Sequence, residues 1–337
     1  MAAGGYLVGR SAFIGFAVNA ATAGETFGGT PGGYDYMRVK PKGFKLQPRQ
    51  KKEIVDELGV DTRDTIDGGL WWSWSADCYA SYSFREKPFH LWAGGAITTT
   101  GASAPYTHAI ALSDKPLWGA LKAFYADNAE QANEICCDTL SNVLVTGISG
   151  KESPEGGLEL SLSGLAVSRA YVENVASFPA INESEVIKWD HLAPTLNAVA
   201  SYELNTLDFN LSNKMEEGVF DHAATTPRTM KGSARVGHRE ITWHVDVREK
   251  RAEAETLVSD TTTAWSGANS LIWNNGGLTT AARELSLIFG NSKVESADVD
   301  RMGQGRSLRT INLRALDASS PRVLAIQFKN ARATITT

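Results

Sequence analysis

Residues Ile241-Thr242-Trp243-His244-Val245-Asp246-Val247-Arg248 decide how this chain is to be read. Apolar and polar side chains alternate along the whole stretch. Successive side chains of a strand point to opposite faces, so the stretch has one dry face and one face for water or a partner. Two others carry the same beat. Leu158, Leu160 and Leu162 alternate with Glu159, Ser161 and Ser163, and Leu207, Phe209 and Leu211 alternate with Asp208, Asn210 and Ser212. Strand patterns of this kind run from about residue 69 to the C-terminus, which predicts a mainly β chain.

Working outward, strands are expected near 69–84, 88–98, 105–112, 116–125, 134–148, 156–168, 200–213, 229–247, 281–289, 307–316 and 321–330. Breaker clusters separate them, among them Ser113-Asp114-Lys115-Pro116 and Glu152-Ser153-Pro154-Glu155-Gly156-Gly157. The second joins two alternating runs and reads as a hairpin loop. Two helices are expected. One is short, at 48–58, with Pro48 at its start and Gly59 as its stop. The other is 248–260 (REKRAEAETLVSD), where Ala, Glu, Arg and Leu dominate and no breaker intervenes. No internal repeat of fixed period is visible.

The first sixty residues differ from the rest. ATAGETFGGTPGG at 21–33 is rich in Gly and Thr, and a basic run follows from Arg38 to Lys52. The expected organisation is an extended N-terminal arm with a short helix over 1–60 and a β-rich domain over 61–337. The basic run is either a solvated face or a patch that docks on an acidic surface of a neighbouring copy. An arm rich in glycine is costly to order alone, so it is expected to order on assembly. Removing 1–33 should then leave a folded subunit.

The bulk numbers exclude several classes. With 337 residues, 42% of them hydrophobic, the chain can bury a large core in one large or two ordinary domains. A net charge of −5 argues against a protein that coats nucleic acid. Cys78, Cys136 and Cys137 are too few for a disulfide framework and are expected to be buried thiols. No secretory leader and no apolar run of about 18–20 residues is visible, so the chain is expected to be soluble and made in a cytoplasm.

A search for chemistry returns little. The six histidines (90, 108, 191, 222, 238 and 244) include no HExxH, and His238 and His244 stand too far apart on one strand to share an ion. There is no GxSxG elbow and no Walker loop. Gly303-Gln304-Gly305 lacks the rest of a dinucleotide fingerprint, and the carboxylates Glu216-Glu217 and Asp298/Asp300 stand in loop-like contexts. No catalytic, metal or cofactor set can be assembled, so no enzyme and no cofactor is expected. Trp71, Trp72 and Trp74 form the densest aromatic group. Trp72 and Trp74 share one strand face and Trp71 the other. They either fill a core or subunit contact, or stack on sugars or bases.

The order of segments resembles that of bacteriophage tail tube proteins. Gly9-Arg10, then Gly24-Glu25-Thr26-Phe27-Gly28-Gly29-Thr30-Pro31, look like that family's opening run. Tyr106 to Leu112, Phe124-Tyr125-Ala126-Asp127 and Cys136-Cys137-Asp138 to Ile148 are similar to strands that follow there. Glu203 to Asn213 and Pro227 to Arg235 look like two later ones, and the helix expected at 248–260 falls where the family has a helix. The Trp71–Trp74 group and the basic run 38–52 have no counterpart in that pattern.

The resemblance implies a tail-tube β-sandwich or half-barrel. Each subunit lends strands to a ring-shaped barrel, and hexameric rings stack into a tube for DNA ejection. Its partners would be sister copies, tape measure, terminator and baseplate proteins, with DNA passing through unbound and no membrane. It would reside in the virion tail and assemble in the host cytoplasm. Under this reading Glu159, Ser161, Ser163, Asp208, Asn210 and Ser212 are lumen-lining candidates, in a bore of net negative charge; otherwise they face bulk solvent. Arg38, Lys40, Lys42, Lys45, Trp72 and Trp74 are candidates for contacts between subunits. A terminator, a distal baseplate ring or a secretion-tube subunit is the alternative of similar fold. A carbohydrate-binding β-sandwich using the tryptophans is the alternative of another class.

Overall fold

A computed structural model describes residues 12–23, 30–55, 64–82, 86–126, 135–175, 177–180, 186–198, 203–215, 219–220, 230–232, 236–248, 265–275, 283–300, 308–316 and 323–333. Four strands come first: β1 (Ala12–Ala23), β2 (Asp35–Val39), β3 (Phe44–Val55) and β4 (Asp64–Tyr79). The helix α1 (Glu86–Ala93) leads into β5 (Gly94–Thr100), β6 (Tyr106–Leu112), β7 (Leu117–Ala126), β8 (Ile135–Glu152) and β9 (Glu159–Val175). After a 3-10 turn at Trp189–His191 come β10 (Leu192–Thr195), β11 (Leu204–Ser212), β12 (Val219–Phe220), β13 (Met230–Gly232) and β14 (Glu240–Arg248). The last are β15 (Asn269–Asn274), β16 (Glu284–Phe289), β17 (Ser292–Asp300), β18 (Leu308–Ala315) and β19 (Leu324–Asn330). The chain is mainly β, as its alternating runs predict, and every ladder between these strands is antiparallel.

The larger sheet has eleven strands and divides at β8. Because β8 is 18 residues long, it takes two neighbours on one side. Gly147 to Glu152 pairs with β11, and Ile135 to Val143 pairs with β7. Beyond β11 lie β14, β18 and β17; beyond β7 lie β1 and β2. The other side of β8 pairs with β9, then β4 and β3. The hairpin expected at Glu152–Gly157 is present, with Lys151 opposite Glu159.

The smaller sheet runs β10-β15-β16-β19-β6-β5 and packs face to face on the larger one. Leu207, Phe209 and Leu211 of β11 and Ile241, Trp243, Val245 and Val247 of β14 are the dry halves of their alternations, all buried. Opposite them stand Leu285, Leu287 and Phe289 of β16 and Leu324, Ile326 and Phe328 of β19. Trp243 stacks on Phe289 at 4.9 Å and 4° between planes, and Phe209 meets Trp273 at 6.2 Å. Each large apolar side chain buried in this seam contributes about 1.5–3 kcal/mol, so the sandwich is held mainly by this layer.

Three expectations are corrected. Residues 48–55 are not helical; they are the second half of β3, paired from Phe44 opposite Ala76 to Val55 opposite Asp64. A helix of that length is marginal on its own, whereas the ladder satisfies the backbone and sets Phe44 and Leu46 against the core. Pro48 is tolerated because β3 is an edge strand. Residues 56–58 of that expected helix, and residues 249–260 of the other, lie outside the described residues.

Within the segment expected as an arm, Ala12–Ala23 lies inside the sheet and not outside the fold. β1 lies between β2 and β7, with Ile14, Phe16, Ala17 and Val18 at most 1% exposed. Deleting 1–33 would therefore remove part of the core. Finally, the strand expected at 88–98 is split by Gly94. Pro88 sits in the first turn of α1, where a missing N–H costs nothing, and Gly94 at φ 78° ends the helix. Arg239 donates to the Ala93 and Ser113 carbonyls and stacks over Trp92 at 5.4 Å, closing the helix C-terminus.

Candidate interaction face

The polar halves of the alternating strands assemble into one face on the side of the larger sheet away from the smaller one. Directly opposed residues of an antiparallel pair share a face, so the register lays out its rows. One row runs Tyr79, Glu159, Lys151, Asp208, His244, Asn312 and Ser296. The next runs Asp77, Ser161, Ser149, Asn210, Thr242 and Arg314. A third runs Lys45, Ser75, Ser163, Gly147, Ser212 and Glu240. All six lumen-lining candidates therefore stand in three adjacent rows, on two strands that flank β8. Glu159, Ser161, Ser163 and Asn210 are exposed; Asp208 and Ser212 are half-buried.

Several charges on this face are held by opposite charges or hydroxyls beside them. Lys40 Nζ contacts the Glu159 carboxylate and lies 4.3 Å from the centre of the Tyr79 ring. The Ser161 hydroxyl donates to Asp77 at 2.6 Å. Arg314 bridges Glu240 at 3.0 Å and Glu295 at 2.5 Å, and Lys214 also reaches Glu240 at 3.2 Å. Lys214, and after it Arg314, hold the Glu240 carboxyl below its ordinary range, and Glu295 raises the Arg314 guanidinium.

At its centre, His244 stands between two carboxylates. Its Nδ1 is 2.8 Å from Asp208 and its Nε2 3.2 Å from Asp246. Thr206 and Thr310 donate to the two oxygens of Asp246. Burial pushes Asp246 up, but these hydroxyls and the imidazole outweigh it and leave its pKa lowered. A carboxylate only accepts, so when the His244 ring is doubly protonated each of its nitrogens donates to one of these carboxylates. The Asp208 hydrogen bond is the main cause of its raised pKa, against the opposing effect of burial.

The subunit-contact candidates divide. Arg38, Lys42 and Lys45 are exposed, Lys42 in the β2–β3 turn at φ 60°. Trp74, 3% exposed, lies against Phe16 at 5.6 Å and donates Nε1 to the Leu165 carbonyl, so its ring is used inside the subunit and is corrected as a contact candidate. Trp71, 5% exposed, joins Trp118, Leu144 and Val167 in a small second core on the opposite face, as the strand alternation predicts. Trp72 is half-buried, with the Arg169 guanidinium 5.2 Å from its ring. The cluster offers no open platform of three rings for a sugar.

Two groups of buried polar residues escaped the sequence reading. At the end of the sandwich, Asp35 accepts two hydrogen bonds from Arg332, at 2.8 and 3.0 Å, and pairs with Lys87 at 3.5 Å. Beside them Asn330 links Glu86 to His108, and His108 bonds Thr99. This joint ties β2, α1, β6 and β19 together. Burial raises Glu86 and lowers Lys87, His90 and His108. The other is Glu152, 1% exposed between the sheets, which accepts from Trp273 Nε1 at 2.6 Å and whose pKa burial pushes up to about 7. No sequence motif marks either group, because their members lie far apart along the chain.

Among the described residues no group of three or more His, Cys, Asp or Glu has the geometry to hold a metal ion. Cys78, Cys136 and Cys137 are buried thiols, and among the described residues no helix is long and apolar enough to cross a membrane. No protein-family model matches this chain and no curated protein matches it.

Proposed function

We propose that this chain is a structural subunit that polymerises with copies of itself into stacked hexameric rings, forming the tube of a phage tail. The observation that carries the reading is the polar face. Three rows of small and charged residues cross the larger sheet from β4 to β14 and face away from the smaller one. A sandwich needs only one dry side per sheet; a second side this wide and polar suits the wall of a water-filled conduit. Open sheet borders are a liability that a closed ring of copies removes.

In this reading Glu159, Ser161, Ser163, Asp208, Asn210 and Ser212 line the bore, and genome DNA passes without sequence-specific contacts. Tape measure, terminator and baseplate proteins are the partners at the tube ends, and the virion tail is its place. Negative-stain electron microscopy of the purified chain at increasing concentration tests this. Hollow cylinders are expected. Isolated rings of one layer would instead indicate a terminator or baseplate ring, and a strictly monomeric protein at high concentration would refute the assembly.

A further inference from the structure

The path β3-β4-β9-β8-β11-β14-β18-β17 ends in two strands of opposite charge, and we infer that they meet: β3 of one subunit adds to β17 of the next copy. The inference rests on the assembly proposed above and specifies its seam. Each terminal strand has a single partner strand among the described residues, β4 for β3 and β18 for β17. Among those residues the outer border of β17 is bridged at Ser292, by Trp265.

The two borders are chemically distinct. β3 carries Lys45, Arg49, Lys51 and Lys52 against the single acid Glu53. β17 carries Glu295, Asp298 and Asp300 against the single base Lys293. Charges on an edge strand repel its own kind and accept the opposite sign, because cross-strand pairs of opposite charge stabilise and like pairs oppose. Two β3 borders therefore reject one another, as do two β17 borders, and β3 on β17 is the combination left. That contact joins different surfaces of two copies, head to tail, and such contacts close into rings. It also extends the polar rows across the boundary, since Lys45 already heads the row that contains Ser163 and Ser212.

The test reverses each border separately. Asp298 and Asp300 are chosen on β17 because Glu295 already holds Arg314; on β3, Lys45 and Arg49 are exposed. The first variant is Lys45→Glu with Arg49→Glu, the second Asp298→Lys with Asp300→Lys. Far-UV circular dichroism and the thermal midpoint establish that each folds. Sedimentation velocity and electron microscopy read assembly. Each variant alone is expected to need about tenfold or more protein to assemble. An equimolar mixture is expected to recover wild-type assembly, because each reversed border then finds its complement in the other variant and a ring of six can alternate.

If each variant assembles alone as the wild type does, or if the mixture fails where both fold, the seam is wrong although the wild type still forms tubes. If the wild type itself never associates, the tube reading fails instead. Should a variant not fold, the wild-type tube in about 1 M salt, where the screening length falls to about 3 Å, decides: dissociation supports the charged seam, and undiminished assembly overturns it.

Discussion

Replacing Glu152 by glutamine tests the energetics of the sandwich directly. The carboxyl lies between the sheets at 1% exposure. Trp273 donates to one oxygen at 2.6 Å, and the other oxygen has no hydrogen-bond partner among the described residues. Burial raises the pKa from 4.5 to about 7, with the Trp273 hydrogen bond pulling weakly the other way. A raised acid means that the folded chain binds its proton more tightly than the unfolded one. Stability is therefore unaffected below about pH 4.5, declines as pH rises, and levels off above pH 7 once the folded group has ionised. At about 1.4 kcal/mol per pH unit, the full effect is about 3 kcal/mol. The glutamine side chain would keep an acceptor for Trp273 and never ionise. Urea unfolding followed by tryptophan fluorescence, at protein concentrations below assembly and from pH 4.5 to 9, should show the curves of Glu152→Gln and wild type diverging upward through pH 7 in the variant's favour. Curves that stay parallel across the range would show that Glu152 is solvated or paired, and the argument would fail.

Three other outcomes follow from the geometry. A Cβ on Gly164 would lie 1.9 Å from the Leu144 carbonyl oxygen and 2.5 Å from the Trp74 ring, whereas one on Gly33 would meet nothing within 4 Å. Gly164→Ala should therefore cost about 1–3 kcal/mol and Gly33→Ala close to nothing, both read by denaturant midpoint. Arg332→Met strips Asp35 of its two guanidinium bonds and leaves it facing Lys87 alone; with Arg332 about a third exposed, a loss of about 2 kcal/mol is expected, and an unchanged midpoint would remove the joint from the list of stabilising contacts. The raised pKa of His244 gives the opposite pH sign to the lowered values of His90 and His108: its contribution is complete below the ordinary value of 6.5 and is lost as pH rises through the folded value. Imidazole chemical shifts recorded against pH should show the raised titration, and Asp208→Asn should lower it.

What could be read from sequence was whatever is local. Ile241 to Arg248 and Leu207 to Ser212 each carry their burial pattern in consecutive letters, and the structure buries the expected halves. The split placement of Trp71 and Trp74 was readable for the same reason. What failed was what depends on a distant partner. The stretch 48–55 has helix-forming residues, yet β4 captures it as a strand, and a ladder outweighs propensities of a few tenths of a kcal/mol per residue. α1 was missed because Phe89, Leu91 and Trp92 look like a short apolar run, which periodicity alone cannot assign. Asp35 and Arg332 are 297 residues apart, so nothing in either neighbourhood announces the pair.

The polar face also alters what a bore of this kind would present to DNA. Choosing lumen candidates by alternation alone yields the acids Glu159 and Asp208, and with them a negative wall. The register adds what alternation on single strands omits: Lys45, Lys151 and Arg314 stand in the same rows. Lys40 holds Glu159, Arg314 and Lys214 hold Glu240, and the His244 ring lies between Asp208 and Asp246. Fields of paired charges largely cancel within about a Debye length. A sliding polyanion would then meet hydroxyls, amides and compensated ions, with neither the grip of a basic wall nor the repulsion of an acidic one. The balance depends on the row being intact. Arg314→Gln leaves Glu295 without this partner and Glu240 with Lys214 alone, so it should disturb these carboxylates more than the loss of a lysine that holds neither. Carboxyl chemical shifts recorded against pH measure this: Arg314→Gln should raise the Glu240 titration toward its ordinary range, because Arg314 is one of the two cations that hold it down, whereas Lys293→Gln should leave it unmoved. Equal shifts for the two variants would mean that the pairing seen across β14, β17 and β18 does not hold these carboxylates.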